Sequence, residues 1–132
     1  MEIDWTRNYR VRSMQRVLID TCGWVAVIEA GINIDKALLE SSGISNIALT
    51  SSVLSELKTM EGNLLLDMLE SKAEIIEPLD ESGKHTDDQL FDLAKKNNWP
   101  VLTIDTELKR RLSQSNLTWI EVSGRSHLRL IR

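Results

Sequence analysis

The sequence predicts an α/β fold, a three-layer α/β/α sandwich around a mainly parallel central sheet. Three observations predict it. Short apolar runs, unbroken by polar residues, suit strands covered on both faces. Longer stretches between them carry apolar residues at helical spacing. The two signals alternate along the chain, the pattern of a parallel sheet wrapped by helices. The 132 residues fit one domain and would hardly supply two separate cores.

The elements follow in order. Residues 1–15 lack apolar periodicity and are expected to form a leader or flexible arm, with a single folded domain over 16–132. Met14 stands just before the first strand and could begin the folded unit. Val17-Leu18-Ile19 is that strand, and it ends at Asp20. Helices are expected at about 24–30 and 33–42, then a second strand at Ile47-Ala48-Leu49. Helices at about 52–61 and 63–72 precede a strand at 74–77, which Pro78 halts because it has no N–H to give a ladder. Residues 80–84 read as a loop. A helix at 87–97 opens with Thr86 and Gln89 at the spacing of a capping box. A strand at 101–104, a helix at 106–114 and a strand at 118–122 complete the pattern.

Composition narrows the class. With 42% hydrophobic and 27% charged residues the chain can form an ordinary globular core without staples. Cys22 stands alone, so no internal disulfide forms, which suits a reducing cytoplasm. Arg7, Arg10, Arg12 and Arg16 make the start polar and basic, unlike a secretory signal. The longest apolar stretch, 24–28, is far too short to span a membrane. A net charge of −4 argues weakly against nucleic acid, yet its distribution argues the other way. Lys109, Arg110, Arg111, Arg125, Arg129 and Arg132 face a single acid, Glu121, in the last stretch, while the other acids lie upstream. An acidic pocket beside a basic tail would give this asymmetry.

The upstream acids carry the chemistry. Val17-Leu18-Ile19-Asp20-Thr21 and Val101-Leu102-Thr103-Ile104-Asp105-Thr106 each bring an aspartate to a strand's carboxyl end, where ligands sit in such sheets. Either aspartate alone also suits a helix cap. Asp87 and Asp88 both suit the first turn of a helix. Asp87 shares a face with Leu90 and Ala94, whereas Asp88 falls with Asp92 on the polar face. Glu56 borders the stripe of Val53, Leu57, Met60 and Leu64, a place equally open to a solvated flank. Two like charges about 4 Å apart repel by about 4 kcal/mol at an effective dielectric of about 20. No Lys or Arg is placed by the sequence at these strand ends, so an oxygen-preferring cation, Mg²⁺ or Mn²⁺, is the simplest neutraliser. Zinc is a poor fit, because one Cys and the separated His85 and His127 make no usual zinc set.

Together these residues resemble a PIN domain. The resemblance covers about 16–131 and rests on four pieces in order: the first strand through Asp20-Thr21, Ser52-Val53-Leu54-Ser55-Glu56-Leu57, Thr86-Asp87-Asp88-Gln89-Leu90 with Ala94, and Leu102-Thr103-Ile104-Asp105 through Arg111. It implies a nuclease using one or two Mg²⁺ or Mn²⁺ ions, with Asp20, Glu56, Asp87 and Asp105 as the acidic site and Asp88 as a further candidate. Thr103 matches a position that helps orient the last aspartate, and Thr21 follows the first. Cys22 departs from the Asn or Ser of many members and reads as a small packing residue, not a nucleophile. The Asp87-Asp88 pair and the stretch from Asp105 to Arg111 look like the archaeal and eukaryotic members tied to ribosomal RNA processing. Compact VapC-type toxins, paired with an antitoxin, are the other branch. A homodimer, an antitoxin or a ribosome-assembly partner is conceivable by resemblance alone.

The expected reaction is hydrolysis of an RNA phosphodiester, with Lys109, Arg110 and Arg111 as the nearest candidates to hold the RNA backbone, or else a solvated basic face. Trp24, Trp99 and Trp119 read as core, while Trp5 in the arm is free to stack on a base. His85, beside a helix start, is either incidental or an acid–base aid. Two rivals remain. A PIN-like module that binds RNA or protein without cutting would keep its affinity when Asp20 is replaced. A phospho-accepting receiver domain would want an acidic pair after the first strand and a late lysine, and neither is evident.

Overall fold

A computed structural model describes residues 15–80, 83 and 85–132. The expected arm, with Trp5 and Met14, lies outside the described residues except for Gln15 and so does part of the loop at 80–84. The described elements run β1 (Val17–Ile19), α1 (Thr21–Ala30), α2 (Ile34–Ser42), β2 (Ile47–Thr50), α3 (Ser51–Thr59), α4 (Leu66–Lys72), β3 (Ala73–Ile76), α5 (Thr86–Asn97), β4 (Val101–Leu102), α6 (Thr106–Gln114), β5 (Trp119–Ser123) and β6 (His127–Ile131).

Six strands form one sheet in the order β3-β2-β1-β4-β5-β6. The first five run parallel, with Leu18 opposite Ala48 on one side and Val101 on the other. Successive residues of a strand point to opposite faces. Val17, Leu18 and Ile19 are nonetheless all fully buried, so helices cover both faces and the three-layer sandwich is the observed architecture. The unbroken apolar runs of β1 and β2 therefore report position at the centre of the sheet. β3, at one edge, is only half-buried and leaves Ile75 exposed.

The connection order creates a switch point. β1 leads outward to β2 and β3, and the chain then returns to lay β4 on the opposite side of β1. Loops leaving β1 and β4 thus diverge and open a crevice at the carboxyl ends of the two strands. Asp20 follows β1 and Asp105 follows β4 by three residues.

Several expected elements shift. The strand expected at 101–104 stops at Leu102: Thr103 still donates its N–H to the Ile120 carbonyl at 3.1 Å, and then Ile104 turns out to solvent as Asp105 swings round to cap α6. The helix expected from 63 begins at Leu66, because Asn63 accepts from the Leu65 N–H and Leu65 takes a left-handed φ of 51°. The capping box at Thr86 does not form. Thr86 is already helical, His85 caps by position without a side-chain bond, and the Gln89 side chain is engaged with Ser52 and the Gly83 carbonyl. A sixth strand, β6, was not expected at all. It turns back after Gly124 (φ 63°) and pairs antiparallel with β5, Glu121 opposite Arg129.

Candidate active site

The residues at the crevice are placed by the ends of regular elements. Asp20 is 4% exposed and caps α1, its Oδ1 accepting from the Thr21 N–H at 2.8 Å. Its Oδ2 accepts from the Thr103 hydroxyl at 2.8 Å and lies 3.2 Å from the Cys22 Sγ. Asp105 caps α6 through the Leu108 N–H at 2.9 Å, and its own N–H donates to the Thr103 Oγ1 at 3.0 Å. One buried hydroxyl therefore joins the two strand-end aspartates. Capping and site geometry are here the same fact: a β-region residue that turns its carboxylate onto the next helix also holds it at the sheet edge.

Glu56 reaches the site from the middle of α3. The Thr21 hydroxyl donates to its Oε1 and the Thr86 hydroxyl to its Oε2, the latter at 2.5 Å. Both oxygens are thus fixed by hydroxyls from two other elements. Asp87 comes from the first turn of α5. Asp20, Glu56, Asp87 and Asp105 all line one open cleft of about 370 Å³, together with Thr21, Cys22, Val25, Glu29, Met60 and Ile104.

The electrostatics of the cleft are unfavourable. Burial pushes the Asp20 carboxyl above its ordinary value, the hydrogen bonds from Thr103, Cys22 and the Thr21 N–H pull it back, and the charge of Asp105 adds to the rise. Asp87 is also raised, first by burial, then by the charges of Asp20 and Asp105, with Arg111 opposing and Glu56 adding. The Cys22 thiol is raised by burial and by Asp20, so it stays protonated, as a packing residue would.

Asp88 does not line this cleft. It accepts from Arg111 Nη1 at 2.8 Å, and the Arg111 guanidinium lies over the Phe91 ring at 4.6 Å. Lys109 pairs with Glu121 at 2.8 Å, and Arg110 bonds Glu107 and Gln114 on its own helix. Trp24 is fully buried with its Nε1 on the Leu64 carbonyl, Trp99 is buried, and Trp119 is half-buried. His85 is exposed just before α5.

The residues match the chemistry of a hard cation in their donors, which are all oxygen. Among the described residues, however, no three His, Cys, Asp or Glu side chains form a ready-made metal shell. Mg²⁺ suits such an open arrangement, since it keeps several waters and commonly takes only one or two carboxylates besides substrate phosphates. A cation would offset both the burial that chiefly raises Asp20 and Asp87 and the lesser repulsion from the neighbouring carboxylates.

The sequence model of a family described as a PIN-like domain matches residues 17–125, most of the chain. The chain belongs to the PIN-like domain family. A solved structure described as the PIN domain endonuclease Utp24 is similar to this PIN-like domain with a TM-score of 0.75 and 18% identity, covering 89% of this chain and 91% of that one. At that identity the likeness is one of fold. No curated protein matches.

Some residues of this PIN-like site escaped the sequence reading. Val25 and Glu29 are two of them, though a signal was there: Thr21, Val25 and Glu29 recur every fourth residue and so share one face of α1. Thr86 was read as a cap but serves Glu56. The nearness of Arg111 to the acids carries no sequence signal, because it comes from the packing of α5 on α6.

Proposed function

We propose that this PIN-like protein is a divalent-metal-dependent endoribonuclease, with Mg²⁺ or Mn²⁺ held by Asp20, Glu56, Asp87 and Asp105. The observation that carries the reading is the convergence of these acids, from four separate elements, into one cleft at the switch point of a parallel sheet. Isolated caps would explain Asp20 and Asp105 but would not bring Glu56 and Asp87 to the same place. The likeness to a PIN domain endonuclease supports the same class of reaction.

A divalent cation bound there supplies Lewis acidity for activating water and for the charge that develops on the leaving oxygen. The chain's own residues do the positioning. Thr103 fixes Asp20 against Asp105, while Thr21 and Thr86 fix both oxygens of Glu56. In the hydrolysis a water oxygen bonds to phosphorus, the P–O bond to the next nucleotide breaks, and the leaving oxygen takes a proton. The Asp87-Asp88 pair and the run from Asp105 to Arg111 favour ribosomal RNA as the substrate over the targets of a VapC-type toxin, with the cytoplasm as the site of action.

Cleavage of varied RNAs by purified protein with Mn²⁺, Mg²⁺ or EDTA, beside Asp20→Asn, tests the reading. Metal-dependent cutting that falls at least a hundredfold in the variant is expected, as for loss of a major charge-stabilising group. Folded wild type that binds RNA and cuts none of it would instead mark a non-catalytic module.

A further inference from the structure

The acidic cleft presents a problem for any RNA substrate, whose phosphates are repelled by the same carboxylates. The protein carries a net charge of −4, so attraction has to be local. Three cations follow one another on α6, and the structure separates them. Lys109 Nζ is held by Glu121, 2.8 Å away on β5, and both side chains are about a quarter or less exposed. Arg110 is fully on the surface and turns along its own helix to Glu107 and Gln114. Arg111 alone crosses to α5, where it meets the residue next to Asp87.

Arg111 is also mounted. Asp88 Oδ1 takes its Nη1 at 2.8 Å and the Phe91 ring supports its guanidinium at 4.6 Å. Asp88 and Phe91 lie three residues apart on α5, so one helix face provides both contacts. The side chain stays 30% exposed. A guanidinium has five N–H donors in a rigid fork, and the Asp88 contact uses one nitrogen, which leaves the fork able to meet phosphate oxygens. Its anchor Asp88 directly follows Asp87, which lines the cleft, so the guanidinium is mounted beside the acidic site.

We propose that Arg111 is the residue that grips an RNA phosphate at the edge of the acidic cleft, and that Asp88 and Phe91 are positioning residues that aim it. Asp88 then acts through Arg111 and not as a metal ligand. The inference rests on the ribonuclease reading and sharpens it, by choosing one residue among the basic candidates of α6 and by giving Asp88 a role.

The test is binding of a short single-stranded oligouridine RNA in EDTA, followed by fluorescence anisotropy across about 50 to 200 mM salt. Each phosphate contact made by a cation to a single strand adds about 0.7 to the slope of log affinity against log salt. Arg111→Ala should lose about tenfold in affinity and about 0.7 in slope. Arg111→Lys should restore the slope and regain only part of the affinity, because the charge returns without the fork. Phe91→Leu should keep the slope and lose about two- to fivefold. Arg125→Ala, on the exposed turn before β6, removes the same charge elsewhere and should change little. A purely structural Arg111 would leave the slope of the folded variant unchanged. Equal slopes for the Arg111→Ala and Arg125→Ala proteins would overturn the inference, as would wild type that shows no RNA binding at the lowest salt. If wild type cuts RNA but the slopes agree, only the Arg111 assignment fails. If Arg111 carries the slope but nothing is cut, only the nuclease reading fails.

Discussion

At the scale of single residues the site turns on one hydroxyl. Thr103 is fully buried, donates to Asp20 Oδ2 at 2.8 Å and accepts from the Asp105 N–H at 3.0 Å. Valine has nearly the same shape and neither hydrogen-bonding capacity. Thr103→Val should therefore leave the buried Asp20 Oδ2 and the half-buried Asp105 N–H each short of a partner, at about 1–3 kcal/mol for the buried group before relaxation. Urea unfolding should show a lowered midpoint with an unchanged slope, the sign of lost stability without loss of cooperativity. Cleavage should fall further than stability explains, because Asp20 and Asp105 lose their common tether. Thr103→Ser, which keeps the hydroxyl, should recover most of the activity. Full cleavage by a folded Thr103→Val protein would show that the aspartates are placed by their helix caps alone. The role of Thr103 was expected from resemblance, and its exact partners depend on the pairing of β1 with β4.

At the scale of elements, Gly23 decides how close α1 comes to the sheet. A Cβ at this position would lie 2.3 Å from the Leu102 carbonyl oxygen, a backbone atom that cannot swing aside. In an open helix, Gly→Ala stabilises by about 1 kcal/mol. Here the clash reverses the sign, and Gly23→Ala should destabilise by about 1–3 kcal/mol. It should also move Thr21 and Cys22 off the site, so thermal unfolding and cleavage should both suffer. A raised melting temperature would mean that α1 does not lie against β4 as described. The central elements were legible for a plain reason: β1 and β2 are buried on both faces, so their apolar runs are unbroken. β6 was not, because an edge strand alternates, and His127 and Arg129 hide the pattern of Leu128 and Leu130. The capping box at Thr86 misled because Gln89 finds tertiary partners, Ser52 and the Gly83 carbonyl, that local spacing does not reveal.

At the scale of the whole molecule, the fold gathers charge where connectivity opens a crevice, and stability pays for it. The two strand-end aspartates were legible because the chain signals where parallel strands stop. Asp87 was marked by the helix face it shares with Leu90 and Ala94, Glu56 gained its place only from its company, and the setting of Arg111 required the packing of α5 on α6. The raised carboxyls have a consequence that the unfolded chain does not share. Between the ordinary carboxylate value and the raised folded value, the folded state holds more protons than the unfolded state. Stability then falls as pH rises through that window, and the penalty is fully present above the folded value. Metal-free wild type should therefore melt lower at neutral pH than Asp20→Asn, whose amide carries no charge to bury. The difference should close as pH falls below the ordinary aspartate value of about 3.9. Adding Mg²⁺ or Mn²⁺ at neutral pH should stabilise wild type, by about 2.7 kcal/mol at a concentration 100 times the dissociation constant. Asp20→Asn should lose most of that gain, so the order of the two melting temperatures reverses when saturating metal replaces EDTA. An order that stays the same in both conditions would mean that these carboxylates are not held together for a cation.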